Sequence, residues 1–144
     1  MINPELLSKL TLDSNGQILI EGKKINDNQT YYNVAGLGGV IQYTFGYISN
    51  ANTIMTASSN NITHCGKVVG IILENKNEGE KVEIITGGEV VNPNWSLISG
   101  NSYYIGLGGD ATNIVPTIGF VQKIGIAKNS NTLIVRLESP IKLM

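Results

Sequence analysis

The chain has 144 residues, enough for one domain of ordinary size and a short extension. It is 42% hydrophobic and only 15% charged, a balance that excludes a disordered chain and implies a packed core. The formal net charge is −1 with Lys and Arg scattered, which argues against binding to nucleic acid or an anionic membrane.

A single cysteine, Cys65, leaves no intrachain disulfide. Met1-Ile2-Asn3-Pro4 opens no basic-then-apolar secretory pattern, and no apolar run is long enough to span a bilayer. Folding in a reducing cytoplasm, without membrane insertion, is therefore expected. Seventeen glycines, together with many asparagines, punctuate short apolar runs. Both residue types accept the positive φ of tight turns cheaply, so the pattern predicts an all-β protein.

Residues 3–10 are predicted to form a short helix, with Asn3 as cap, Pro4 as first residue, and Leu6, Leu7 and Leu10 as one apolar face. So short a helix is unstable alone and must dock on something. Leu10-Thr11-Leu12 and Gln17-Ile18-Leu19-Ile20 flank Asn15-Gly16, which suits the two positive φ values of a type I′ hairpin turn. Glu21-Gly22-Lys23-Lys24 predicts a second turn. Asp13, Asn15 and Gly16 begin a calcium-loop pattern but lack its other ligands and terminal Glu, so a plain turn is expected.

From about Tyr31 the chain reads as strand after strand: 40–45, 46–48, 67–73, 81–86, 89–91, 102–105, 121–127 and 132–137. Val68-Val69-Gly70-Ile71-Ile72-Leu73 is apolar throughout, as for a strand buried on both faces. Landmarks recur in the same order in two segments, 47–86 and 104–138. Tyr47-Ile48 corresponds to Tyr104-Ile105, Gly66 to Ile71 corresponds to Gly119 to Ile126, and Val82-Glu83-Ile84 corresponds to Leu133-Ile134-Val135. Two copies of one β unit sharing a core would explain this, and so would the general likeness of β-hairpins.

Candidate chemistry is thin. His64 and Cys65 are adjacent, but strand neighbours point to opposite faces, so they do not form a nucleophile–base pair. A buried Cys beside an exposed His is the expectation. One His and one Cys cannot complete a zinc site within the chain. Gly36-Leu37-Gly38-Gly39 and Gly106-Leu107-Gly108-Gly109 suggest phosphate loops, yet neither is followed by a helix or by Lys-Ser/Thr, so tight turns are expected. Glu78, Glu80, Glu83 and Glu89 do not single out a glycosidase pair. The Asn-x-Ser/Thr patterns at Asn28, Asn61 and Asn94 mean only that asparagine is common. No cofactor, no metal and no enzymatic activity are predicted.

An ordered set of segments carries a resemblance. These are Gly79-Glu80-Lys81-Val82-Glu83-Ile84, Gly88-Glu89-Val90, Asn94-Trp95-Ser96-Leu97, Gly100-Asn101-Ser102-Tyr103-Tyr104-Ile105-Gly106, Pro116, Gly119 to Ala127, Leu133-Ile134-Val135 and Pro140-Ile141-Lys142-Leu143. Together they resemble a C-terminal β module of bacteriophage tail-fibre, head-fibre and head-decoration proteins, over residues 66–143. Residues 66–82 also resemble small trimeric capsid-cement proteins, and residues 10–25 resemble fibre-shaft segments.

The resemblance implies a compact β-sandwich or β-barrel, β-tulip-like, with the internal pseudo-repeat, at residues 31–144. Residues 1–30 would be an attachment segment of helix and hairpin. It further implies a virion location and a structural, homotrimeric head-fibre or capsid-decoration subunit. Its partners would be itself and other virion proteins of capsid or tail. The alternative is the receptor-binding tip of a tail fibre or baseplate, which would meet a host-surface glycan or receptor through residues 49–59 and 106–117. Some thirty residues before the β domain are few for a fibre shaft, which favours head fibre or decoration. A glycan-cleaving enzyme is the third class, disfavoured by low charge and the lack of a site. The candidate interaction residues are Leu6, Leu7, Leu10 and Trp95. Trp95, the only tryptophan, either plugs the end of a barrel or anchors a partner.

Overall fold

In a computed structural model of the chain, residues 10–12, 18–20 and 23–24 are described as backbone and residues 28–143 in full. Strands β1 (Leu10–Leu12), β2 (Ile18–Ile20) and β3 (Lys23–Lys24) form a small antiparallel sheet in that order, with Leu10 opposite Ile20 and Leu19 opposite Lys24. The β1–β2 pair is the predicted hairpin, though its turn lies outside the described residues. Lys23-Lys24, expected in a turn, instead adds a third strand. The predicted helix falls on residues 3–9, with Leu6 and Leu7, outside the described residues. Leu10 opens a strand rather than ending a helix.

The main sheet holds nine antiparallel strands. They are β4 (Gln29–Val34), β5 (Phe45–Ile48), β6 (Ile54–Thr56), β7 (Val68–Ile72), β8 (Lys81–Val91), β9 (Ser102–Ile105), β10 (Ala111–Thr112), β12 (Lys123–Asn129) and β13 (Thr132–Arg136). The order is β10-β9-β12-β13-β8-β7-β5-β6, with β4 also paired to β8. The sheet is curled into a half barrel. A separate pair joins β11 (Phe120–Val121) to β14 (Ile141–Lys142).

The apolar run of β7 does what its composition demands. Ile71 packs on one side with Phe45, Ile85, Ile105, Phe120, Ile124 and Leu133. Ile72 packs on the other side with Ala35, Val40, Ile54, Val82 and Ile84. Strands β7 and β8 are thus a wall between two cores. Each fully buried Ile or Phe contributes about 1.5–3 kcal/mol of transfer free energy, so the wall is the centre of stability.

Strand β8 corrects the sequence reading. Residues 81–86 and 89–91 were expected as two strands and form one that runs through Gly87-Gly88. Its first half pairs with β4 and β7, and its second half with β13. Gly88 has φ +119, open to glycine alone, and the side chain of Asn28 fills the place a Cβ would take. Asn28 Nδ2 donates to Glu89 O at 3.0 Å and Glu89 N donates to Asn28 Oδ1 at 3.1 Å, so one amide stands in for a strand partner beside Gly88. Residues 41–44, also expected as strand, turn instead. Tyr43 is left-handed at φ 63, and Thr44 Oγ1 donates to Ile41 O at 2.7 Å.

Read outward from the β8–β13 pair, the path is β8-β7-β5-β6 on one side and β13-β12-β9-β10 on the other. The registers run in step. Tyr47 pairs with Val68 and Tyr104 with Lys123, and a bulge separates each pair from the next, Gly46 with Gly70 and Tyr103 with Gly125. Ile48 pairs with Ile54 and Ile105 with Ala111, each across a five-residue loop, 49–53 and 106–110.

Nine apolar residues bear on assembly. Exposed in a single chain, they would favour association. Val40, Phe45, Ile71, Ile72, Val90 and Ile124 are buried within one chain, and only Ile41, Val91 and Ile126 are exposed. The curled sheet supplies two cores where a flat one would supply less, so most of the apolar content is satisfied internally.

Candidate functional site

The chain segments between strands at 57–66 and 106–119 come from different halves of the sequence and meet at one end of the sheet. Ser59 N donates to Gly106 O at 3.1 Å, and Phe120 N donates to Ser59 O at 3.0 Å. The Ser58 hydroxyl accepts from Gly108 N at 3.1 Å and donates to Asn60 Oδ1 at 2.7 Å. The Gly106-Leu107-Gly108-Gly109 segment is a tight turn, as expected, with Gly108 and Gly109 at positive φ.

His64 anchors this arrangement. Asn61 caps a 3-10 turn over Ile62–His64 by accepting from Thr63 N. The His64 ring is buried, stacks on Tyr47 at 3.9 Å between centroids, and accepts from Ser58 N at its Nδ1, 3.0 Å away. Cys65 is only half-buried. The expected exposed His is therefore buried and the expected buried Cys only half-buried, because the 3-10 turn rather than a strand directs the two side chains. Burial holds the His64 pKa below its ordinary value, and the nearby Lys67 charge acts in the same direction. The Ser58 amide at Nδ1 suits the neutral ring.

Unfolded His takes up a proton near pH 6.5, whereas the folded ring resists it. Its contribution is fully present above the unfolded value and is lost as pH falls toward the lowered folded one. Urea midpoints should fall in the wild type as pH is lowered from about 7.5 to about 5.5. His64→Gln should flatten that slope. An equal slope in both proteins would contradict the assignment.

Two cavities open at this end. The first is an apolar groove of about 640 Å³ walled by Leu107, Ile114, Val115 and Ile118, with Ser59 contributing to its lining. Those four side chains are 65, 75, 50 and 65% exposed. Asp110 is the only charged residue lining it. The second is a polar cavity of about 400 Å³ lined by Gln42, Tyr43, Asn92, Trp95, Asp110 and Ala111, so the two share Asp110 and Ala111. Trp95 is half-buried, leans on the larger core and meets Tyr43 at 5.6 Å in a tilted pair. It thus covers the core and lines a cavity together.

Among the described residues, Trp95 is the named interaction candidate that lines this end. Leu6 and Leu7 lie outside the described residues, as does the side chain of Leu10. Asp110, Ile114 and Val115 fall in the 106–117 segment named as a possible receptor-meeting loop, whereas Tyr43 and the continuation of the apolar run to Ile118 were missed. The signal for the last was present: an apolar run placed between Gly109-Asp110 and Gly119, where turns rather than a strand are written.

Elsewhere, Lys81 lies 4.5 Å over the Tyr32 ring and Lys76 pairs with Glu74 at 3.2 Å, a mutually neutralised surface patch. Among the described residues no three of His, Cys, Asp and Glu gather to hold a metal ion, and no helix is long and apolar enough to cross a membrane. The chain matches no protein-family model and no curated protein. The resemblance to phage particle proteins therefore rests on the segments quoted above.

Proposed function

We propose that the chain is a non-enzymatic virion structural protein, a homotrimeric head-fibre or capsid-decoration subunit. The observation that carries this reading is the apolar groove at residues 106–118. Four large apolar side chains project from one segment of a chain whose two cores are otherwise filled, and contiguous exposed apolar surface marks a protein contact. Sister copies are the occupant. The groove has one charged lining residue and the chain a net charge of −1, so copies meet with little repulsion. Closed symmetry would limit growth, and the resemblance to fibre and cement proteins favours three subunits.

We also infer that the β domain is a duplicated unit, 47–86 and 104–138, wrapped as a barrel-like module. The mirrored strand order and matching registers support the duplication. The isolated bridge from Ala35 to Ile54, which brings the end of β4 against β6, supports barrel-like closure on one side.

In this reading residues 1–27 attach the subunit to the particle. β1, β2 and β3 pair only with one another among the described residues, which supports a separable element. A truncation lacking residues 1–27 should remain folded by circular dichroism and be absent from purified particles. Normal incorporation of the truncated chain would contradict the assignment. The alternative, a receptor-binding tip, would be favoured by labelling that places the protein on the tail.

A further inference from the structure

We propose that the cavity between Tyr43 and Trp95 is a binding site for a neutral, hydroxyl-rich saccharide unit. It stands independently of the particle reading. Its volume, about 400 Å³, lies within the range of small-ligand sites.

The lining has the two chemistries a sugar ring requires. One is an aromatic surface, given by the tilted Tyr43–Trp95 pair, for the apolar C–H face of the ring. The other is a set of uncommitted polar groups for its hydroxyls. Asn92 is buried, and its Oδ1 accepts from Asn94 N at 3.0 Å, while its Nδ2 has no partner among the described residues. The Gln42 side chain and the Asp110 carboxylate likewise have none. A carboxylate accepting from hydroxyls makes the stronger, charge-assisted kind of hydrogen bond.

Charge selects the ligand. The lining carries one negative group, Asp110, and no Lys or Arg. Sialylated, uronic and phosphorylated sugars would meet an unopposed carboxylate, so neutral sugars are preferred. The backbone adds a second sign of purpose. Tyr43 is held at φ 63, a conformation that costs a bulky residue of order 1 kcal/mol and that clusters at ligand sites. Tyr43 N is fixed in that turn by donating to Ile72 O at 2.7 Å, and Gln42 N by donating to Asn75 Oδ1 at 2.8 Å.

Trp95 is the only tryptophan, so its fluorescence reports this cavity. The experiment titrates the full chain with neutral oligosaccharides of glucose, galactose and N-acetylglucosamine, and with sialyllactose as the acidic probe. A neutral sugar should shift the Trp95 emission saturably, at millimolar or lower concentration, and sialyllactose should not. Asp110→Asn, at an exposed position, should weaken binding about tenfold without changing the fold. Tyr43→Gly, which keeps the left-handed backbone while removing the ring, should also weaken it. Overturning results are no saturable shift with any neutral sugar, preference for the acidic probe, or binding unchanged in both variants. Oligomeric state and particle incorporation do not enter this readout, so its failure leaves the structural reading to its own tests.

Discussion

Replacing Gly70 or Gly125 with alanine is expected to cost roughly 2–4 kcal/mol each, a loss that comes only from strain or steric conflict in a packed interior. A Cβ on Gly125 would collide with the carbonyl oxygen of Ile134 and lie 3.0 Å from its carbon. A Cβ on Gly70 would collide with the carbonyl oxygen of Ile85 and lie 2.8 Å from its carbon. In both cases the obstacle is the backbone of the neighbouring strand, which cannot rotate away as a side chain can. The strands must separate locally, and the core on that face opens with them. The two losses should be similar, since each glycine stands at the same place in the mirrored order. Gly87→Ala is the control. Its Cβ would come closest to the Gln29 Oε1 tip, at 3.1 Å, with the Val135 carbonyl oxygen at an ordinary 3.8 Å, and the change should cost less than about 0.5 kcal/mol. Urea unfolding followed by Trp95 fluorescence measures all three as shifts in midpoint at constant slope. Near-wild-type midpoints for Gly70→Ala and Gly125→Ala would contradict the close strand approach.

The second large effect is expected on assembly. The double variant Ile114→Asp and Ile118→Asp places two charges in the apolar groove and should turn a trimer into monomers without loss of folding. Burying an unpaired carboxylate costs several kcal/mol per subunit contact, more than a moderate interface can offset. Both positions are exposed within one chain, so the isolated fold bears little of that cost. Retention of the trimer would move the interface elsewhere. The exposed residues Val91, Ile126 and Ile134 on β8, β12 and β13 would then be next, although the Lys128–Glu89 pair at 2.9 Å already makes that face partly polar.

What could be read from sequence follows physical locality. The β7 run was legible because continuous apolar composition is a statement about two buried faces, and both faces are in fact buried. The N-terminal hairpin was legible from a local turn signal. The continuity of β8 through Gly87-Gly88 was not, since a Gly-Gly pair more readily ends a strand. What keeps the strand continuous is Asn28, some sixty residues away in sequence. The turn at 41–44 was hidden for a related reason: Tyr43 gives no sign of a positive φ that Ile72 and Asn75 impose from elsewhere. The cavity was least legible of all. Gln42 and Tyr43, Asn92 and Trp95, and Asp110 lie on three separate segments, and no local pattern predicts that they meet. Trp95 could be singled out because it is the only tryptophan, but its neighbours could not.

The most direct test of the central reading is sedimentation equilibrium of the purified full-length chain across the micromolar range. The account predicts a species of three times the 15.5 kDa chain mass, with dissociation only on dilution. A concentration-independent monomer would contradict it, and a dimer would remove the main physical support for the resemblance to trimeric fibre and cement proteins.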